Sequence, residues 1–240
     1  MIKVKPYNSA ESKKKQVGKM FDNIADNYDF LNHSLSMGMD FYWRRKAVNQ
    51  LTNNPKYILD VATGTADFAI SASKISNVKI TGIDISQGMI DIGRKKIKSK
   101  GLENIIKLQI ADSEKLPFKN NSFDAITAGF GVRNFENLDK GLKEMYRVLN
   151  QNGMIAILEP SSPKIFPFKQ LFKIYFHKIL PIIGKLISKD NSAYNYLPNS
   201  VEAFPNGENF IKNLYDIGFS NCKHIPLSLG IVDLYVAIKK

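Results

Sequence analysis

The sequence predicts an α/β protein, a mostly parallel seven-stranded sheet with helices on both faces. Three observations predict it. From residue 57 onward, short apolar runs alternate with helical patterns. A turn of small residues, Ala62, Gly64 and Ala66, follows the first run. Acidic residues, Asp84 and Asp112, then stand at the ends of the next two runs, where parallel sheets open a ligand crevice.

The strands are expected at residues 57–62, 78–84, 105–111, 123–128 and 154–159, with a closing pair at 224–229 and 232–238. Residues 221–240 suit an antiparallel hairpin at a sheet edge. Helices are expected at 67–75, 87–100, 138–149 and 207–217. Two segments fall outside the alternation. Residues 12–52 read as two helices broken near 32–40, and 160–206 as a long insertion after strand five. Within the insertion, Phe168, Leu171, Phe172, Tyr175, Phe176 and Ile179 recur at helical spacing, so they share one face until Pro181 kinks or ends the helix. The expected organisation is one domain over 1–240, with a helical lid at 12–52 and a helical insertion at 160–206.

Composition narrows the chemistry. The single cysteine, Cys222, excludes an internal disulfide framework and a four-cysteine metal site. The N-terminal residues are polar and basic rather than a secretory signal, so a reducing cytoplasmic setting is expected. The most apolar stretch, residues 165–187, is broken by Lys169, Lys173, Lys178 and Lys185, against the roughly 20 apolar residues of a membrane span. A net charge of +12 favours an anionic partner, nucleic acid or an anionic lipid surface, unless it reflects a general abundance of lysine. The histidines His33, His177 and His224 are scattered, and no metal site is expected.

The turn after the first strand, with Asp60 before it and Gly64 within it, suits close approach of backbone to a ligand. Asp84 follows Gly64 by about 20 residues, the spacing at which a carboxylate accepts hydrogen bonds from ribose hydroxyls. Asp112 is placed to receive an adenine amine. This layout fits a nucleoside ligand without identifying it.

Asp-Val-Ala-Thr-Gly-Thr at 60–65, Gly-Ile-Asp-Ile at 82–85 and Leu-Pro-Phe at 116–118 resemble class I S-adenosylmethionine (SAM) dependent methyltransferases. Further stretches resemble the menaquinone/ubiquinone biosynthesis C-methyltransferases. They include Phe-Asp-Asn-Ile-Ala-Asp-Asn-Tyr-Asp at 21–29, Trp43 with Arg44, Phe-Gly-Val-Arg-Asn at 130–134 and Ser-Ala-Tyr-Asn-Tyr-Leu-Pro at 192–198. The likeness runs from about residue 16 to the C-terminus. It implies a Rossmann-like fold, SAM as methyl donor, and Thr65, Asp84, Asp112 and Ser113 as its contacts. Three positions depart from the family pattern: Ala66 replaces a glycine, Gly129 a serine that often contacts the cofactor, and Pro160 a phenylalanine. Ala66 is expected to be harmless at negative φ and to weaken cofactor binding if forced to positive φ.

The implied reaction is C-methylation of a prenylated quinol, demethylmenaquinol by preference, with the benzoquinol of ubiquinone synthesis as the alternative. A quinol that loses the proton of one ring hydroxyl carries negative charge onto the adjacent carbon, the nucleophile. Arg133 is expected to stabilise that phenolate, with Asn134 beside it in the catalytic pair. A water or a carboxylate would take the proton. Tyr28, His33 and Trp43 are the candidates to hold the ring. A structural salt bridge for Arg133 and a capping or surface role for His33 are the plainer readings of those two residues. The insertion face either lines a channel for the prenyl tail, rests on an anionic bilayer from the cytoplasmic side, or simply packs on the sheet. A nucleic-acid methyltransferase would suit the charge, but a cytosine C5 enzyme needs a cysteine nucleophile and Cys222 stands in a late strand. A non-catalytic SAM-binding module, another lipid methyltransferase and a homo-oligomer stay open.

Overall fold

The computed structural model describes residues 4–174 and 191–240. Strands β1 (Tyr57–Val61), β2 (Lys79–Asp84), β3 (Ile106–Ile110), β4 (Phe123–Gly129), β5 (Leu149–Pro160), β6 (Phe219–Leu227) and β7 (Val232–Lys239) form one sheet in the order β3-β2-β1-β4-β5-β7-β6. All neighbours run parallel except β7, which is antiparallel to both β5 and β6.

Strand periodicity explains why the central runs are apolar throughout. Leu59, Val61, Ile155 and Ile157 pack on one face with helices α5 (Leu138–Val148) and α8 (Glu208–Ile217). Their alternates Ile58, Ala156 and Leu158 pack on the other face with α2 (Met39–Val48) and α3 (Asp67–Ala72). Both faces are therefore covered, as expected. Caps fix the helix starts: Ser86 accepts the Met89 N–H at the head of α4 (Gln87–Ser99), and Asn137 the Lys140 N–H at α5.

The N-terminal segment forms α1 (Lys13–Leu35), capped by Ser12, and α2, with the break where it was expected. Val17, Met20, Ile24 and Leu31 of α1 make a third apolar cluster with Met89 of α4 and Tyr196. Tyr196 belongs to α7 (Asn191–Ala203) in the insertion, which also holds α6 (Phe168–Ile174). Tyr175, Phe176, Ile179, Pro181 and His177 lie outside the described residues.

Two strands differ from their expected bounds by more than one residue. β5 begins at Leu149, straight after α5, because Leu149 pairs with Phe123 before the register shifts and Met154 pairs with Ala125. The polar run 150–153 hides this start, and Asn152 turns at φ 59°. β6 begins at Phe219 and ends at Leu227, where Ser228 and Leu229 both take positive φ.

Candidate functional site

At the carboxyl ends of β1, β2 and β4 the chain lines a cavity of about 650 Å³, its solvent-open mouth included. Its floor is the turn after β1, where Ala62 (φ 52°), Gly64 (φ 55°) and Ala66 (φ 71°) all occupy the left-handed region. Ala66 therefore does not have the negative φ that would make it harmless, and it carries a strain of roughly 1 kcal/mol. Gly64, Asp84, Asp112 and Ser113 line this cavity together. The Asp84 carboxylate accepts the Gly64 N–H and the Ser86 N–H, each at 2.9 Å, so strand end, turn and helix are tied through one side chain. Burial pushes its pKa above the usual carboxylate range, against the pull of those amides. Asp112 accepts the Glu114 N–H at 2.9 Å and an ion pair from Lys14 of α1 at 2.7 Å.

Two expected cofactor residues stand elsewhere. Asp60 does not line the cavity. It is buried in mid-sheet, where its two oxygens accept the Thr127 hydroxyl (2.6 Å) and the Thr63 hydroxyl (2.5 Å), holding β4 and the turn to β1. Burial raises its pKa to about 6, opposed by the Thr127 and Thr63 hydrogen bonds. Thr65 is also buried and outside the lining, its hydroxyl donating to Asp29 of α1 at 2.5 Å. Gly129 lines the cavity, and a Cβ there would come within 2.9 Å of the Phe68 ring. The packing of Phe68 thus explains why no side chain replaces the family's serine.

A second cavity, about 1180 Å³, adjoins the first. The two share Phe21, Tyr28, Phe130 and Asn134 as a common wall. Apolar side chains from α1, Trp43 of α2, Pro160, and Tyr196 and Leu197 of α7 complete it. Arg133 lines it and is fixed from behind. Its guanidinium donates to Glu159 at 2.9 Å and to the Phe130 carbonyl, while Glu159 also accepts the Val132 N–H at 2.6 Å. The expected alternative of a salt bridge is thus present, but it does not remove Arg133 from the cavity. Glu159 is 1% exposed, and burial raises its pKa against the pull of Arg133.

Among the described residues, few buried side-chain polar atoms lack a hydrogen-bond partner. Arg133 Nε, both amide atoms of Asn134 and the Tyr196 hydroxyl are among them, and all three residues line the second cavity. Such atoms cost stability unless something else satisfies them.

Of the ring-holding candidates, Tyr28 lines both cavities and Trp43 the second, its indole N–H bound to Ser228 at 2.8 Å. His33 lines neither. Its Nδ1 is 2.8 Å from Asp40 and its ring stacks on Phe41, so the plainer structural role fits it. His33 belongs to an ionic cluster behind the β1 turn, in which Lys96 of α4 bridges Asp29 (2.5 Å) and Asp67 (2.6 Å). Helix α1 thus grips the cofactor-side machinery at three points. Lys14 pairs with Asp112, Asp29 with Lys96, and Asp22 accepts the Ser86 hydroxyl (2.6 Å) and the Gly88 N–H (2.9 Å). Gly88 permits that approach, since a Cβ there would meet Ala25 at 3.2 Å.

Sequence reasoning missed Glu159, Tyr196 and Lys14. Glu159 looked like the end of an apolar strand, and its partner lies 26 positions away. Tyr196 sat inside a quoted family motif without a role. Cys222, half-buried on β6, lines neither cavity.

The first cavity fits SAM. Four carboxylates, Asp84, Asp112, Glu114 and Glu136, line it against a single lysine, Lys14, which suits a ligand with a sulfonium and an ammonium.

The sequence matches the model of the ubiE/COQ5 methyltransferase family over residues 9–239. A demethylmenaquinone methyltransferase from Bacteroides fragilis is 51% identical over 239 residues, covering 99% of this chain and 98% of the relative. A ubiquinone/menaquinone biosynthesis C-methyltransferase UbiE from Geotalea daltonii is 47% identical over 230 residues, covering 95% and 97%. In structure the chain resembles a SAM-dependent methyltransferase from Thermotoga maritima, with a TM-score of 0.65, 17% identity and coverage of 92% and 99%.

Proposed function

The chain belongs to the ubiE/COQ5 methyltransferase family, and from that premise we propose that it methylates a ring carbon of demethylmenaquinol, with SAM as donor. The observation that carries the reading is the shared wall. One cavity suits a charged nucleoside, the next is mostly apolar, and Asn134 belongs to both with an unsatisfied amide.

SAM supplies an electrophilic methyl group when bound. The rest of the chemistry belongs to side chains of this chain. Gly64, Asp84, Asp112 and Ser113 hold the donor, while Asp60 and Thr65 support the turn from behind. Arg133 faces a ring oxygen of the quinol and stabilises the phenolate that makes the neighbouring carbon nucleophilic. Glu159 and the Phe130 carbonyl fix the guanidinium, so no reorganisation is needed as charge develops. Asn134, Tyr28 and Trp43 orient the ring. Residues 12–52 act as a lid over both ligands, and Phe172, Tyr196 and Leu197 of the insertion cover the substrate side, excluding water.

The prenyl tail leads toward a membrane. Exposed apolar residues stand beside lining residues on three segments: Met37 next to Ser36, Phe166 and Phe168 ahead of Phe172, and Leu229 just before Ile231. With Lys164 and Lys169 nearby and a net charge of +12, this rim suits an anionic cytoplasmic leaflet. No helix among the described residues is long and apolar enough to cross a membrane. Co-sedimentation with anionic vesicles at low salt tests the docking, and its absence rules docking out.

The function itself is tested by methyl transfer from labelled SAM to demethylmenaquinol in detergent, beside the oxidised quinone and a demethylated ubiquinol precursor. Label entering the reduced naphthoquinol alone supports the reading. Label entering the benzoquinol at an equal or higher rate moves the enzyme to ubiquinone synthesis, as the name of the Geotalea relative allows. SAM binding with no label in either quinol overturns it.

A further inference from the structure

Tyr196 enters the second cavity from α7, far in sequence from the other polar residues there. Its ring is 4% exposed and packs with Val17, Met20, Ile24 and Leu31 of α1. Phenylalanine would serve that packing equally well. The hydroxyl is the part that packing does not explain: it is buried and has no hydrogen-bond partner among the described residues. A buried hydroxyl left without a partner is a net cost to the fold, so it is expected to find its partner in a ligand.

Arg133 lines the same cavity, and its charge reaches the Tyr196 hydroxyl. A quinol presents two oxygens on opposite sides of one ring. We propose that Tyr196 donates a hydrogen bond to the quinol oxygen that Arg133 does not hold, so that the ring is fixed at both ends over the shared wall. The inference rests on the quinol reading above. Burial pushes the phenol to about 12, so it stays protonated as a donor over the whole working range. A tyrosine in this state binds an oxygen without competing for its proton. It also distinguishes a ring with two oxygens from a plain hydrocarbon of the same shape, which cannot satisfy the hydroxyl.

The test is Tyr196→Phe in the full-length protein, assayed with demethylmenaquinol and with a prenylated 1-naphthol that keeps only the oxygen beside the reacting carbon. With the quinol, the variant's kcat/KM is expected to fall about fivefold to tenfold, the loss of one hydrogen bond. SAM affinity is expected to hold within about twofold, and the melting temperature to stay level or rise. With the naphthol, wild type and variant are expected to converge. If the variant matches wild type on the quinol, or loses as much on the naphthol as on the quinol, the Tyr196 inference falls while the quinol reading stands. If wild type methylates neither compound, the quinol reading falls and the inference with it.

Discussion

The two cavities sit side by side and are built on opposite plans. In the cofactor-side cavity nearly every polar group is already engaged. Asp84 holds two backbone amides, Asp112 holds an amide and Lys14, and the turn between them is tied down by Asp60 and Thr65. In the second cavity the walls are mostly apolar, and the side-chain polar atoms of Asn134 and Tyr196, with Arg133 Nε, have no partners among the described residues. The first plan suits a ligand rich in hydrogen bonds, which joins an existing network. The second suits a hydrophobic ring that brings two oxygens of its own. On the proposed function their difference separates donor binding from acceptor chemistry, and the variants that follow are chosen to break that separation.

Arg133→Lys should have the largest effect. It keeps the charge near Glu159, avoiding the roughly 3–5 kcal/mol cost of an unpaired buried carboxylate, but loses the planar fork. Turnover should fall on the order of 10²-fold while SAM affinity by calorimetry changes less than about threefold. An equal loss in both would show that the cavities do not act separately.

Asp84→Asn is the mirror experiment. Losing charge-assisted hydrogen bonds of about 1.5–3 kcal/mol should weaken SAM binding roughly 10- to 100-fold, with quinol KM unchanged. A shift in quinol KM of similar size would contradict the assignment.

Asp60→Asn sharpens the claim that Asp60 supports the sheet without touching SAM. The folded-state pKa of Asp60 lies near 6, above its ordinary 3.8, so the fold favours the protonated acid. The stability this gives is complete below about pH 4 and is lost as pH rises toward 6. The neutral amide should therefore gain on wild type across that window, by at most about 3 kcal/mol, and level off above it. Denaturant unfolding of both proteins at pH 4, 5, 6 and 7 reads this directly. A parallel pair of curves would refute it.

Ala66→Gly should do least. Relief of left-handed strain, roughly 1 kcal/mol, is offset by loss of a fully buried methyl group worth about 0.8 kcal/mol. The melting temperature should move by no more than a few degrees, about 2–4 °C per kcal/mol. A larger gain would mean that the turn pays heavily for its alanine.

The same contrast explains what could be read in advance. The strands and their two buried faces follow from runs such as Leu59 and Val61 against Ile58, whose periodicity is local. The turn at 62–66 and Asp84 are likewise local, so the first cavity is legible in the sequence, while Asp60 and Thr65, expected among the cofactor contacts, stand outside its lining. Nothing in a sequence distinguishes an acid facing a ligand from one facing Thr127. The second cavity draws on α1, α2, the residues after β4, the end of β5 and α7. Family motifs brought Arg133, Asn134, Tyr28 and Trp43 forward. The pairing of Arg133 with Glu159 is a tertiary event, and so are the turning of His33 toward Asp40 and the bare hydroxyl of Tyr196.

Asn134 is the residue on which the two plans meet, and Asn134→Ala tests the account most directly. Because the amide has no partner within the described chain, its removal should leave the melting temperature unchanged. Single-turnover methylation of demethylmenaquinol, with both ligands saturating, should slow on the order of tenfold or more. SAM affinity and quinol KM should stay within about threefold of wild type. An unchanged single-turnover rate would contradict the shared wall as the place where donor and acceptor meet.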